Sequence, residues 1–257
     1  MSKSLVSEKA EIAIIGGSGF YRLAPSLDLN RCVVEDVETP YSNIPVKLSF
    51  EELEDVPVCF LARHGEQHRF PPHKVNYRAN LWALHEFGIK HIIAVNTLGA
   101  INTDFSLPQL IIPDQLIDYT WGRDHTFFDG LNSLSDHIDF TEPFTAELRE
   151  KLLTQAEKLK LSAATSACVA CTQGPRLETA AEIRKLAKDG CDAVGMTLMP
   201  EAALARELKI SYASIGLVVN MAAGLAEGEI SIEAIQEVLA AGLTDVRKLI
   251  SAVLPTI

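Results

Sequence analysis

The feature that most narrows the fold is a recurring pair of segments. A short, continuously apolar run ends in glycine or polar residues, and a stretch with apolar residues at helical spacing follows. Glu11-Ile-Ala-Ile-Ile15 runs into Gly16-Gly17-Ser18-Gly19, Val56-Pro-Val-Cys-Phe-Leu61 into Ala62-Arg63-His64-Gly65, and His91-Ile-Ile-Ala-Val95 into Asn96-Thr97-Leu98-Gly99. Cys168-Val-Ala-Cys171 runs into Thr172-Gln-Gly-Pro175, Ala193-Val-Gly-Met196 into Thr197, and 212–219 into Asn220. Runs that are apolar at every position, not at alternate ones, predict strands covered on both faces. Helices are predicted over 74–87, 143–159, 178–188, 199–208 and 231–252, each with a stripe such as Leu148, Leu152, Leu153 and Ala156. Strands alternating with helices predict an α/β fold with a largely parallel or mixed sheet. No repeat, low-complexity tract or flexible linker divides the 257 residues, so one domain over 1–257 is expected, with 1–10 a flexible N-terminus.

In such sheets ligands bind beyond the carboxyl ends of the strands. Nearly every apolar run here ends in residues of chemical interest, and that coincidence is the main physical pointer to a site. Composition limits what the ligand can be. A net charge of −11 argues against nucleic acid or an anionic membrane as partner, since either needs a basic footprint. A small anion is still compatible, because potential at a site is set within a Debye length of roughly 8–10 Å. The five cysteines are scattered and the first ten residues are polar with no apolar core, so a reduced, cytoplasmic chain is expected. Cys168-Val-Ala-Cys171 has no second pair and no nearby His, so neither metal nor redox chemistry is expected of it.

The strand ends are weak signals one at a time. Gly16-Gly17-Ser18-Gly19 can expose N–H groups as an anion nest, with Ser18 adding a hydroxyl. The dinucleotide fingerprint fails there, because Arg22 stands three residues after Gly19, and no Gly-Lys-Ser/Thr marks a P-loop. Arg63 offers a charged fork for phosphate oxygens and His64 a group that exchanges protons near neutral pH. Glu178 stands near a helix start, Thr197 closes a strand with a hydroxyl, and the Asn220 amide carries both donor and acceptor.

Taken together the segments IIGGSGF, LARHGEQH with VNYRANLWAL, VNTLGAI, DQLIDYTWGR, HIDFTEPF, TQGPRLET and GMTLMPEAALA resemble the trimeric purine nucleoside phosphorylase and methylthioadenosine phosphorylase family, from Ile12 to about Leu243. The resemblance implies a mixed, mostly parallel β-sheet forming a distorted barrel surrounded by helices. It implies phosphate held by Ser18, Arg63, His64, Thr97 and Thr197, Met196 under the ribose, and His137 reaching the nucleoside of a neighbouring subunit in a homotrimer or dimer of trimers. No metal or organic cofactor is implied, only inorganic phosphate as co-substrate.

Two regions bear on specificity. Family members acting on 6-aminopurines carry an Asp-x-Asp pair where this chain has Asn220 and Ala222, and Glu178 matches the glutamate that binds the N1–H of a 6-oxopurine. Where a family histidine meets the 5′-hydroxyl, this chain has Ile232, with Ile235 one turn on and Leu177 nearby, an apolar set suited to a 5′-methylthio group. The resemblance thus implies phosphorolysis of 5′-methylthioinosine to hypoxanthine. A methylthioadenosine enzyme and a general inosine/guanosine phosphorylase are the alternatives. Outside the enzymes stands a nucleotide- or phosphosugar-binding module without catalysis.

Overall fold

The computed structural model describes residues 10–17, 32–65, 68–130 and 137–257. Ser18, and all of the expected flexible N-terminus except Ala10, lie outside them. The six apolar runs are strands: β1 (Ile12–Gly16), β4 (Val56–Ala62), β5 (His91–Ala100), β9 (Cys168–Cys171), β10 (Ala193–Gly195) and β11 (Ser211–Met221). The five helical stripes are α1 (Tyr77–Glu86), α2 (Ala146–Lys158), α3 (Ala180–Lys188), α4 (Leu198–Glu207) and α5 (Ile232–Val253).

Five further strands complete an 11-stranded sheet: β2 (Val33–Thr39), β3 (Ser42–Leu53), β6 (Gln109–Ile111), β7 (Gln115–Asp118) and β8 (Ala163–Ala164). β2 and β3 form an antiparallel hairpin at one end of the order, and successive β2 residues alternate between half-buried and exposed. The sheet is mixed and mainly parallel, as expected. β1 pairs parallel with β4 and β5, β11 with β5, and both β7 and β10 with β9, whereas β10 runs antiparallel to β5.

Burial on both faces accounts for the continuous apolar runs. Ile12 and Ile14 point with Ile93, Val95 and Ile215 into one core, closed by Leu148 and Leu152 of α2 and by Leu243 and Val246 of α5. Ala13 and Ile15 point with Ala94 and Leu98 into the other, closed by Leu81 and Leu84 of α1 and by Ala202 and Leu204 of α4. Each fully buried Ile or Leu contributes about 1.5–3 kcal/mol of transfer free energy, which fixes strand register firmly.

Strand β5 is the hub. Its first half (His91–Ala94) pairs with β1, its last two residues with β10, and its whole length with β11. Gly99 therefore faces Val194 of β10 and Asn220 of β11. A register shift between Val218 and Asn220 puts an extra residue into β11, and a bulge of this kind re-aims the side chains beside it.

Candidate active site

The ends of β4, β5, β9, β10 and β11 surround a cavity of about 210 Å³. Gly17, Arg63, His64, Thr197, Glu178 and Asn220 all line its wall. Side chains far apart in the chain, such as Arg63 and Asn220, thus share one pocket.

Arg63 follows β4 and is fully buried. Its Nε donates to Oε2 of Glu201 at 2.7 Å, Nη2 to Oε1 at 2.8 Å, and Nη1 to the Val95 carbonyl at 2.9 Å. Glu201, on α4, also has no exposure and accepts from the Tyr212 hydroxyl at 2.8 Å. Burial works against the Arg63 charge, but the Glu201 carboxylate outweighs it and raises the pKa. A guanidinium has five N–H groups, so three are used and two have no partner among the described residues.

His64 places Nδ1 2.8 Å from the Phe70 carbonyl oxygen. That oxygen can only accept, so Nδ1 carries the proton and Nε2 keeps a free lone pair. Burial, and next the charge of Arg63, push the ring down to about 4, leaving it neutral at pH 7. The Thr197 hydroxyl oxygen accepts from Asn96 Nδ2 at 2.8 Å, and Asn96 Oδ1 accepts from Ser214 at 2.9 Å. Thr197 is thereby left with its own proton to donate. Thr97, on β5, also lines the cavity.

Glu178 stands one residue before Thr179, the N-cap of α3, whose capping box with Glu182 fixes where the helix begins. The Thr172 hydroxyl donates to Glu178 Oε1 at 2.5 Å. Asn220 Nδ2 donates to the Met221 carbonyl at 2.8 Å, leaving the amide with one hydrogen and its oxygen unused. A β-carbon at Gly99 would sit 3.5 Å from that nitrogen, so the amide lies closely over bare backbone. Where a second carboxylate would stand, Ala222 lines the wall. Met196 contributes an apolar surface and packs against Gly174, whose φ of +61° and close approach to the Met196 sulfur leave no room for a side chain.

The structure therefore gathers Arg63, His64, Thr97, Leu177, Glu178, Met196, Thr197, Asn220 and Ile235 around one cavity. Ile232 is not among them. It is the first residue of α5 and is 56% exposed, and Ile230 lines the cavity beside Ile235. His137 is exposed and outside this cavity. Ser18 lies outside the described residues, although Gly17 before it is in the wall.

Sequence reasoning missed the groups that hold these in place: Glu201, Tyr212, Asn96, Ser214, Thr172 and Arg123. One of them was detectable, because Glu201 is a lone carboxylate in the apolar stretch Leu198-Met-Pro-Glu-Ala-Ala-Leu-Ala205. Buried Arg123 is the least expected. It donates to the carbonyls of Met196 (2.9 Å), Met199 (2.5 Å), Thr172 (3.3 Å) and Gln173 (2.9 Å), and so ties two wall-forming loops together. Among the described residues no cluster of three or more His, Cys, Asp or Glu is placed to hold a metal ion, and no helix is long and apolar enough to cross a membrane.

Fold and pocket define an α/β protein whose strand ends gather an arginine, a neutral histidine, a threonine, a carboxylate and an amide around one cavity. Residues 11–255 match the family described as the phosphorylase superfamily, and the chain belongs to it. It is 46% identical, over 94% of its own length and 97% of the relative's, to the probable S-methyl-5′-thioinosine phosphorylase of Xylella fastidiosa. It is 45% identical to the probable 6-oxopurine nucleoside phosphorylase of Thermococcus kodakarensis, over 93% of this chain and 90% of that one. Methylthioadenosine phosphorylase from Schistosoma mansoni in complex with adenine superposes with a TM-score of 0.88 at 30% identity, covering 96% of this chain and 92% of the other.

Proposed function

We propose that the protein cleaves a purine nucleoside with inorganic phosphate, and that its preferred substrate is 5′-methylthioinosine, giving hypoxanthine and 5-methylthioribose 1-phosphate. The observation that carries this is the one cavity that Arg63, His64 and Thr197 line together with Glu178 and Asn220. An oxygen of hydrogen phosphate attacks C1′ of the ribose as the bond to N9 breaks, and the bonding pair leaves with the purine, whose proton gain at N7 is balanced by the proton the phosphate gives up. The sugar is oxocarbenium-like at the transition state, and the phosphate beneath it offsets that charge. Arg63 contributes its two unused N–H groups and Thr197 its proton. Neutral His64 accepts a hydrogen bond from protonated phosphate. Asn220 Oδ1 accepts the N7–H as it forms, and the remaining amide hydrogen meets O6. Glu178 accepts N1–H. An adenine offers no N1–H and a donor in place of O6, so both contacts disfavour it.

Ile230 and Ile235 support an apolar 5′ substituent over a hydroxyl, which would be left without a partner. We further read the chain as a cytoplasmic homotrimer in which His137, exposed here, completes a neighbour's site. Ser18 would add a hydroxyl to the phosphate cradle beyond Gly17. The direct experiment incubates the protein with phosphate and, separately, 5′-methylthioinosine, 5′-methylthioadenosine and inosine, and quantifies free base. The highest kcat/KM is expected for methylthioinosine. Adenine released faster than hypoxanthine would overturn the base assignment, and no phosphate-dependent release from any of the three would overturn the whole reading.

A further inference from the structure

Thr172, the residue after β9, is held on its backbone from two sides. Its N–H donates to the Gly195 carbonyl at 2.8 Å, and its own carbonyl accepts from Arg123 Nη2 at 3.3 Å. With the backbone fixed, the single hydroxyl proton has a defined direction, toward Glu178 Oε1 at 2.5 Å, with the Gly195 carbonyl at 3.3 Å as a longer second acceptor. Among the described residues no other donor reaches the Glu178 carboxylate. Glu178 is only half-buried, the last residue of a loop whose preceding Pro175, Arg176 and Leu177 are exposed. An alternative partner stands two residues back in the loop, Arg176, an exposed guanidinium paired with Glu182 at 2.7 Å. A carboxylate at such a place samples several rotamers unless something selects one, and a hydrogen bond to an ionised group is the stronger kind.

Building on the proposed phosphorolysis, we infer that Thr172 is the positioning residue that makes the pocket selective for bases presenting an N–H to Glu178. Its hydroxyl pins one carboxylate oxygen against the floor of the loop and turns the other, with its lone pairs, into the cavity. Arg123 supports this from behind, by holding the Thr172 and Gln173 carbonyls on the same guanidinium that holds Met196. Base recognition and the sugar surface are thus set by one rigid assembly. Thr172 touches no substrate atom in this arrangement and acts only through Glu178.

The test is a kinetic cycle on the full chain. Thr172→Val keeps the shape and removes the donor, while Thr172→Ser keeps the donor. The ratio of kcat/KM for methylthioinosine to that for methylthioadenosine is expected to fall about tenfold in T172V, the size of one lost hydrogen bond to a charged group, and to return in T172S. In a Glu178→Gln background, Thr172→Val is expected to change that ratio by less than twofold. Equal losses on both nucleosides, or an undiminished effect of T172V in E178Q, would overturn the inference while leaving phosphorolysis intact. Should T172V not fold, Thr172→Ala carries the same measurement. A chain that folds with neither residue has a purely structural Thr172, which also overturns it. Failure of the unaltered protein to release either base removes the functional reading underneath instead.

Discussion

At the scale of single residues, Arg63 is neutralised before any ligand arrives. Glu201 meets it with two hydrogen bonds in a fully buried setting, and Tyr212 takes part of the same carboxylate. Removing one member of a buried pair strands the other, at a cost of about 3–5 kcal/mol. Glu201→Ala is accordingly expected to lower the urea midpoint sharply and to raise KM for phosphate more than KM for nucleoside; an unchanged phosphate KM would detach Glu201 from the cradle. His64 yields a pH signature. Its folded pKa of about 4 lies below the usual 6.5, so the unfolded chain binds the proton first as pH falls. Its contribution to stability is complete above about pH 6.5 and is lost progressively down to about pH 4, with a full amplitude on the order of 3 kcal/mol. In phosphate-free buffer, His64→Asn is expected to flatten the dependence of unfolding free energy on pH across that window. An equally steep dependence in the variant would place the proton uptake elsewhere.

At the scale of elements, the loop from β9 to α3 carries Thr172, Gly174, Leu177 and Glu178 within a few residues. Gly174 adopts φ of +61° with the Met196 sulfur 2.5 Å from where a β-carbon would stand. Gly174→Ala is expected to cost about 1–2 kcal/mol in backbone strain and to displace Met196, raising KM for nucleoside severalfold. Thermal unfolding and steady-state kinetics check the two parts separately, and unaltered kinetics would mean that Met196 gives way without consequence. The six core strands and five helices were legible in the sequence because full burial writes itself as unbroken apolar runs and amphipathic burial as a 3.6-residue stripe. Helix boundaries differ by only a few residues, as at Thr179, whose capping box starts α3 two residues past the expected 178. The β2–β3 hairpin was not legible, because its core-facing residues are interspersed with polar ones: Val46, Leu48 and Phe50 of β3 face the core with Val33 and Val37 of β2, and polar residues stand between them, so no unbroken apolar run marks either strand. Within the site, residues at strand ends could be picked out, since each announces itself by following an apolar run. Ser214 and Tyr212 could not, since they sit inside such a run, and Asn96, though it follows one, had no visible role, because all three matter only through partners 11 to 118 positions away. The exposed placement of Ile232 had no sequence signal either: it continues the α5 stripe on paper, but the first turn of the helix projects past the core.

At the scale of the whole molecule, the proposed trimer makes a prediction that no single-subunit enzyme would meet. If His137 serves a neighbour, a chain lacking it and a chain lacking Asn220 each have defective sites alone. Co-folded, the His137→Ala subunit supplies Asn220 to a pocket that receives His137 from the Asn220→Ala subunit. Mixed preparations are expected to regain activity well above the mean of the two parents, and simple averaging would show that each subunit works on its own. Within one subunit, β5 shares its flanks among β1, β10 and β11 and carries Asn96, Thr97 and Gly99 on the way. The cradle and the base slot therefore hang from the same rod, and no half-assembled chain keeps one without the other. On heating, turnover and far-UV ellipticity are expected to fade along a common curve, so that catalysis itself becomes a gauge of how much intact protein is left.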